Sequence, residues 1–193
     1  DDLSDIFGVD AVRYFVLHEM PFDNDGTITW ELVADRNNSD LANVLGNLVN
    51  RTIAMSNKYF GGKVENTGVC GEADGAFIEF VKGVKDRVVA KMDELRVADA
   101  LSEVFSLFRR GNKYIDETAP WALAKDPAQQ GRLATVLYNL TESILIGASL
   151  LSPFMPKTSE KILSFFSAQP RSLDELGSFG LYAGGTVVEK PEI

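Results

Sequence analysis

Two groups of side chains have types and spacing suited to reading a flat polar ligand. On one long helical stretch Asn43, Asn47, Asn50, Arg51 and Lys58 fall within about 120° of one another at 100° per residue, away from the leucine stripe. Asn47 and Arg51 stand four apart, so their side chains are neighbours on successive turns. An asparagine amide offers a donor and an acceptor, and an arginine offers a planar fork of donors. Those groups complement the edges of nucleic-acid bases. The second group is Pro120 and Trp121, inside NKYIDETAPWALAK. Proline ends or kinks a helix and drives the preceding residue out of helical geometry. Trp121 is thereby delivered to a junction between helices, where an indole can show one face to solvent. Unpaired bases are read by side-chain hydrogen bonds combined with stacking on an aromatic ring. Simpler readings stand beside these: Trp121 fills the core at a helix corner, and the asparagines decorate a wet helix face.

No other chemistry competes. His18 is the lone histidine, on an apolar-flanked helix, where packing or simple exposure accounts for it. GxSxG, HExxH, GxGxxG and GxxxxGK[ST] patterns are all absent, and no pair of acids stands out as a general acid and base. DNDG at positions 23–26 is like the start of a calcium loop but lacks the later glutamate. Neither a catalytic constellation nor a metal site is expected in this chain. Its one cysteine, Cys70, allows no internal disulfide and no cysteine-based zinc cluster, and suits a reducing, cytoplasmic setting. No apolar run reaches the roughly 18 to 20 residues of a membrane span, so no membrane partner is expected.

Net charge is −9, the wrong sign for a protein held to nucleic acid by bulk electrostatics. Between Leu41 and Lys63, however, there is no acid, while Arg51, Lys58 and Lys63 are positive. Screening over about 8 Å at physiological salt lets a local basic face act on an acidic body. An ordinary solvated helix face is the alternative.

The elements that must position these groups are almost all helical. A short amphipathic helix is expected over 9–19, followed by a turn at PFDNDG. A long helix spans 29–60, closed by Gly61 and Gly62, with Leu41, Leu45, Leu48, Thr52, Met55 and Tyr59 as its core stripe. Further helices are expected over 73–95, 97–117, 133–151 and 156–166. Asp126 serves as N-cap with Pro127 at the first helical position. One turn near 173–176 and a terminal strand complete the chain. The fold class is all-α, an antiparallel helix bundle with short flanking loops. Its divisions are a linking segment over 1–28, the bundle over 29–168, and a loop and strand appendage over 169–193. The absence of an initiator methionine and the strand-like close suggest a piece of a larger protein.

Four stretches, GVDAVRYFVLHEMPFDNDG, NSDLANVLGNLVNRTIAMSNKYF, NKYIDETAPWALAKD and LYNLTESILIGASLLSPFMPKTSEKI, resemble the C-terminal half of the methionyl-tRNA synthetase family, in order and at matching spacing. The likeness runs from about Phe7 to the end. It implies the anticodon-binding helix bundle of a class I aminoacyl-tRNA synthetase, preceded by the segment that follows the KMSKS loop. The family's HIGH and KMSKS signatures are absent here and are expected upstream of Asp1, as is its zinc-binding insert. The family reads the CAU anticodon of tRNA(Met) with an asparagine and an arginine four apart and a tryptophan after a proline. These match Asn47, Arg51, Trp121 and Pro120, and the family's asparagine one turn earlier matches Asn43. The resemblance implies a parent enzyme that attaches methionine to tRNA with ATP and Mg, and a chain with no catalytic residues of its own. It carries no oligomeric state. The alternative function is a helical protein–protein interaction or regulatory module. Gly111, inside a predicted helix, departs from good helix chemistry at about 1 kcal/mol against alanine.

Overall fold

A computed structural model describes residues 2–20 and 25–192, so four of the six residues of the PFDNDG turn lie outside the described part. The chain begins with α1 (Asp2–Phe7), a turn of helix the sequence reading did not anticipate, and α2 (Val9–Glu19). The expected long helix is continuous from Trp30 to Phe60 in three stretches: α3 (Trp30–Arg36), a π-helical stretch (Asn37–Gly46) and α4 (Asn47–Phe60). Thr29 caps it, its hydroxyl accepting the Leu32 N–H at 3.2 Å. Gly61 stops it in the left-handed region at φ 58°.

The ten π-helical residues differ from the expected uniform α-helix for a packing reason. At 100° per residue Asp40 and Leu45 would point about 140° apart. The i→i+5 repeat of a π-turn lets both face inward. Both are buried. Asp40 accepts from the Tyr14 hydroxyl at 2.8 Å and from Arg109 at 3.0 Å.

The bundle proper adds α5 (Glu72–Asp93), α6 (Val97–Thr118), the short α7 (Pro120–Leu123), α8 (Gln130–Leu151) and α9 (Pro156–Phe165). Asp126 accepts the Ala128 N–H at 2.9 Å, the expected cap ahead of Pro127. Helices α5 and α6 run antiparallel: Phe77 of α5 stacks on Tyr114 of α6 at 4.1 Å, and Arg87 reaches Glu103. Helix α8 is the centre, with every residue from Leu133 to Leu151 buried. Counted as a whole helix, Pro127–Leu151 is long and apolar enough to cross a bilayer, unlike the shorter uninterrupted apolar run in the sequence; its apolar window is wholly covered by the rest of the bundle. Gly111 has a structural reason. A Cβ there would come within 2.9 Å of Leu48 Cδ2, so its absence lets α4 lie close against α6.

The C-terminal segment returns over the bundle. A strand β2 (Gly185–Thr186) pairs antiparallel with β1 (Lys63–Val64), Lys63 opposite Thr186. Asn57 of α4 donates to the Val188 carbonyl at 2.8 Å.

Buried tyrosines give the fold an alkaline limit. Burial, then a hydrogen bond to Asp40, pushes Tyr14 far above the ordinary value of 10.0. Burial and a bond to Asp74 do the same to Tyr114. Burial, then the neighbouring Glu142 charge, raises Tyr138 to about 12. Each folded value exceeds the unfolded one, so the stability these hydroxyls confer is whole below pH 10 and is lost as pH rises through the folded values. The urea midpoint is expected to fall steeply between pH 10 and about 12. Tyrosinate absorbance should then rise with unfolding. Full ionisation near pH 10 with the helices intact would contradict this.

Candidate nucleic-acid interface

Gly111 and Leu48 hold α4 against α6 with the two helices running in the same direction. Asn47 and Arg51 of α4 therefore meet Asn112 and Asp116 of α6 at a constant offset of 65 residues. Asn47 Nδ2 donates to Asn112 Oδ1 at 3.0 Å. Arg51 Nη2 donates to Asp116 Oδ1 at 3.1 Å. Asn112 is itself fixed, its Nδ2 donating to the carbonyls of Val44 at 3.0 Å and Phe108 at 3.2 Å. The Arg51–Asp116 pair is more open, with Asp116 66% exposed, so it contributes no more than about 1 kcal/mol. A ligand that takes over the guanidinium displaces little.

Just beyond Asp116 the helix ends. Ala119 is left-handed at φ 43° and its N–H still reaches the Ile115 carbonyl at 2.9 Å. Pro120, buried, starts α7, where a missing N–H costs no bond. Trp121 follows with 46% of its surface exposed. The structure thus leaves an indole half open at the corner instead of burying it as a plug. Asp116 and Ala119 are one turn apart, and two peptide steps lead on to Trp121, so its Cα is within about 13 Å of that of Asp116. The contacts of Asn47 and Arg51 thus fall in the last two turns of α6, ahead of the corner that carries Pro120 and Trp121.

The rest of the amide face is divided. Asn43 is exposed beside Arg36, Asn38 and Glu19, in a groove of about 380 Å³ whose lining includes neither Asn47 nor Arg51. Asn50 lines a different cavity, of about 560 Å³, with Asp10, Lys157 and Lys161. Lys58 lies 5.3 Å from the Tyr59 ring. The expected basic face is also muted. Arg51 is paired with Asp116 and Lys63 with Glu65, acids that the sequence stretch itself does not contain.

The family model described as the anticodon binding domain of methionyl tRNA ligase matches residues 64–189. This chain belongs to the methionyl-tRNA ligase family. A second model, class I tRNA synthetases (M), matches residues 1–53. Among curated relatives, the methionine–tRNA ligase of Caldanaerobacter subterraneus subsp. tengcongensis is 45% identical over 193 residues, covering 100% of this chain and 30% of that protein. The methionine–tRNA ligase of Bacillus subtilis is 43% identical over 182 residues, covering 92% and 27% respectively. The chain thus spans about 30% of the length of the relatives it matches. Crystal structures of Mycobacterium tuberculosis methionyl-tRNA synthetase superpose with a TM-score of 0.89. The apo form is 36% identical and covers 97% of this chain and 39% of that one. The complex with methionyl-adenylate is 37% identical, covering 99% and 38%.

Within this member of the methionyl-tRNA ligase family, Asn112 and Asp116 are the residues the sequence reading left without a role. A signal for them existed. Asn112 and Asp116 repeat the i, i+4 polar spacing of Asn47 and Arg51, as two facing ridges would.

Proposed function

We propose that this chain is the anticodon-binding part of a methionine–tRNA ligase and reads the CAU anticodon of tRNA(Met). The observation that carries the reading is the polar face that Asn47 and Arg51 form with Asn112 and Asp116 of α6, with the half-exposed Trp121 following five residues after Asp116. In this reading Trp121 stacks on the first anticodon base, and Pro120 sets the ring's position. Asn47 and Arg51 hydrogen-bond to anticodon bases, and Asn43 extends the polar contact one turn away. The bundle over 29–168 does the reading, 1–28 links it to the catalytic body, and 169–193 is an appendage. The parent ligase joins methionine to tRNA in the cytoplasm, with ATP and Mg supplied to residues upstream.

The magnitudes suffice. Stacking of one base on an aromatic ring is worth about 1–3 kcal/mol. One bidentate base contact discriminates by about 1–3 kcal/mol. Two or three such contacts favour the cognate loop by several kcal/mol while the −9 charge works against binding in general. Titration with stem-loops of CAU and other anticodons tests this. The expected result is weak binding with a clear preference for CAU. Tight, salt-insensitive binding to every anticodon would contradict it, and no binding to any loop would favour a protein-interaction module.

A further inference from the structure

We infer that Asn112 is a positioning residue that sets which way round the Asn47 amide faces, and so decides whether the base Asn47 touches must carry an amino or a keto group. The inference rests on the proposed reading of the anticodon and deepens it.

The hydrogen-bond network permits one orientation. Asn112 Nδ2 donates to two main-chain carbonyls, Val44 of the π-helical stretch and Phe108 of α6. Turning that amide over would aim its oxygen at two other oxygens, so both of its N–H groups are committed. What remains towards Asn47 is Asn112 Oδ1, which only accepts. Asn47 must meet it with Nδ2, at 3.0 Å. Asn47 keeps its own Oδ1 and one N–H for a ligand. Two backbone carbonyls on two helices thereby dictate the rotamer of an exposed side chain. The close approach of those helices at Gly111 holds the geometry.

The consequence is a choice between base types. Cytosine and adenine carry an exocyclic amine, a donor, beside a ring nitrogen that accepts. Uracil and guanine carry a keto oxygen beside a ring N–H, the reverse order. An amide that turns freely complements either edge by a half-turn. An amide held by Asn112 does not turn, so its Oδ1 and its remaining N–H keep one order, in which Oδ1 takes the amine of cytosine or adenine. The first two letters of CAU are both amino bases.

The test uses the full-length ligase and three stem-loops: CAU, and the amino-to-keto changes UAU and CGU. Asn112→Ala frees the Asn47 amide. It should lower the preference for CAU over one of the two altered loops by at least about fivefold, the lower end of what one base contact discriminates. Asn112→Asp sets an oxygen where Nδ2 met the Val44 and Phe108 carbonyls, so it should lose the preference as well, while its added charge weakens binding to all three loops. Melting curves on both variants separate an orientation effect from unfolding. An Asn112→Ala ligase whose preference ratios match the unmodified enzyme overturns the inference, whether or not overall affinity falls. Asn47→Ala separates base reading by Asn47 from its orientation by Asn112. If it leaves the preference intact, the reading of the site fails. If it abolishes the preference while Asn112→Ala does not, only the orienting role fails.

Discussion

Glu142→Ala is expected to release the C-terminal segment and to lower stability by about 3–5 kcal/mol, the usual cost of removing one partner from a buried ion pair. Glu142 is fully buried on α8. Its carboxylate accepts from Arg171 Nη1 at 2.9 Å and Nη2 at 2.6 Å. It also accepts the main-chain N–H groups of Gly180 at 2.7 Å, Leu181 at 2.8 Å and Tyr182 at 3.2 Å. Alanine leaves a guanidinium only 10% exposed and three N–H groups without acceptors. For a chain of this size each kcal/mol moves the melting temperature by about 2–4 °C, so a fall of roughly 6–20 °C is expected. Amide exchange at residues 180–182 should accelerate with it. Glu142→Gln keeps the shape and one acceptor oxygen and should fall less. An unchanged melting temperature with protected amides at 180–182 would mean that the segment is held elsewhere, for example by the β1–β2 pairing or by Tyr138, whose hydroxyl donates to the Tyr182 carbonyl at 2.7 Å.

The helices were legible because their signals are local. A threonine cap, a left-handed glycine stop and a 3.6-residue apolar repeat bound the long helix within a residue of where it lies. What stayed hidden depends on groups distant in sequence. The π-helical stretch exists because Asp40 is drawn inward by Tyr14 and Arg109, from elements on either side of it in the chain. The neutralising of Arg51 by Asp116 is invisible to a count of charges along one helix. The Glu142 anchor is likewise closed by residues 29 to 40 positions away. At the site, sequence alone picked out Asn47, Arg51, Pro120 and Trp121; the first two pack against α6 and the last two stand at the corner that follows it. It grouped Asn50 with them by angle alone, and the structure turns Asn50 to the cavity beside α9. Asn50 and Arg51 stand about 100° apart on the regular helix α4, far enough round it for one to reach that cavity while the other meets α6.

Trp121→Ala is expected to weaken binding of a CAU stem-loop about 10- to 100-fold, as loss of one base–aromatic stack implies, while leaving the bundle folded. The two effects separate because of where the ring sits. With 46% of its surface already in water, the indole gives up only part of its apolar area on truncation. That costs about 1 kcal/mol of stability, a few degrees of melting temperature. The corner itself is built by Ala119 and the buried Pro120, which the substitution leaves in place. Trp121→Phe retains a smaller stacking face and should recover part of the affinity. Binding and melting measured on the same preparations decide between the two roles of this residue. If the alanine variant melts far lower and binds poorly, Trp121 is a core plug whose loss disorders the α6–α7 corner. If it melts normally and binds every loop as before, the ring is not the platform on which the anticodon rests, and the polar ridge of α4 has to recognise its ligand without a stack.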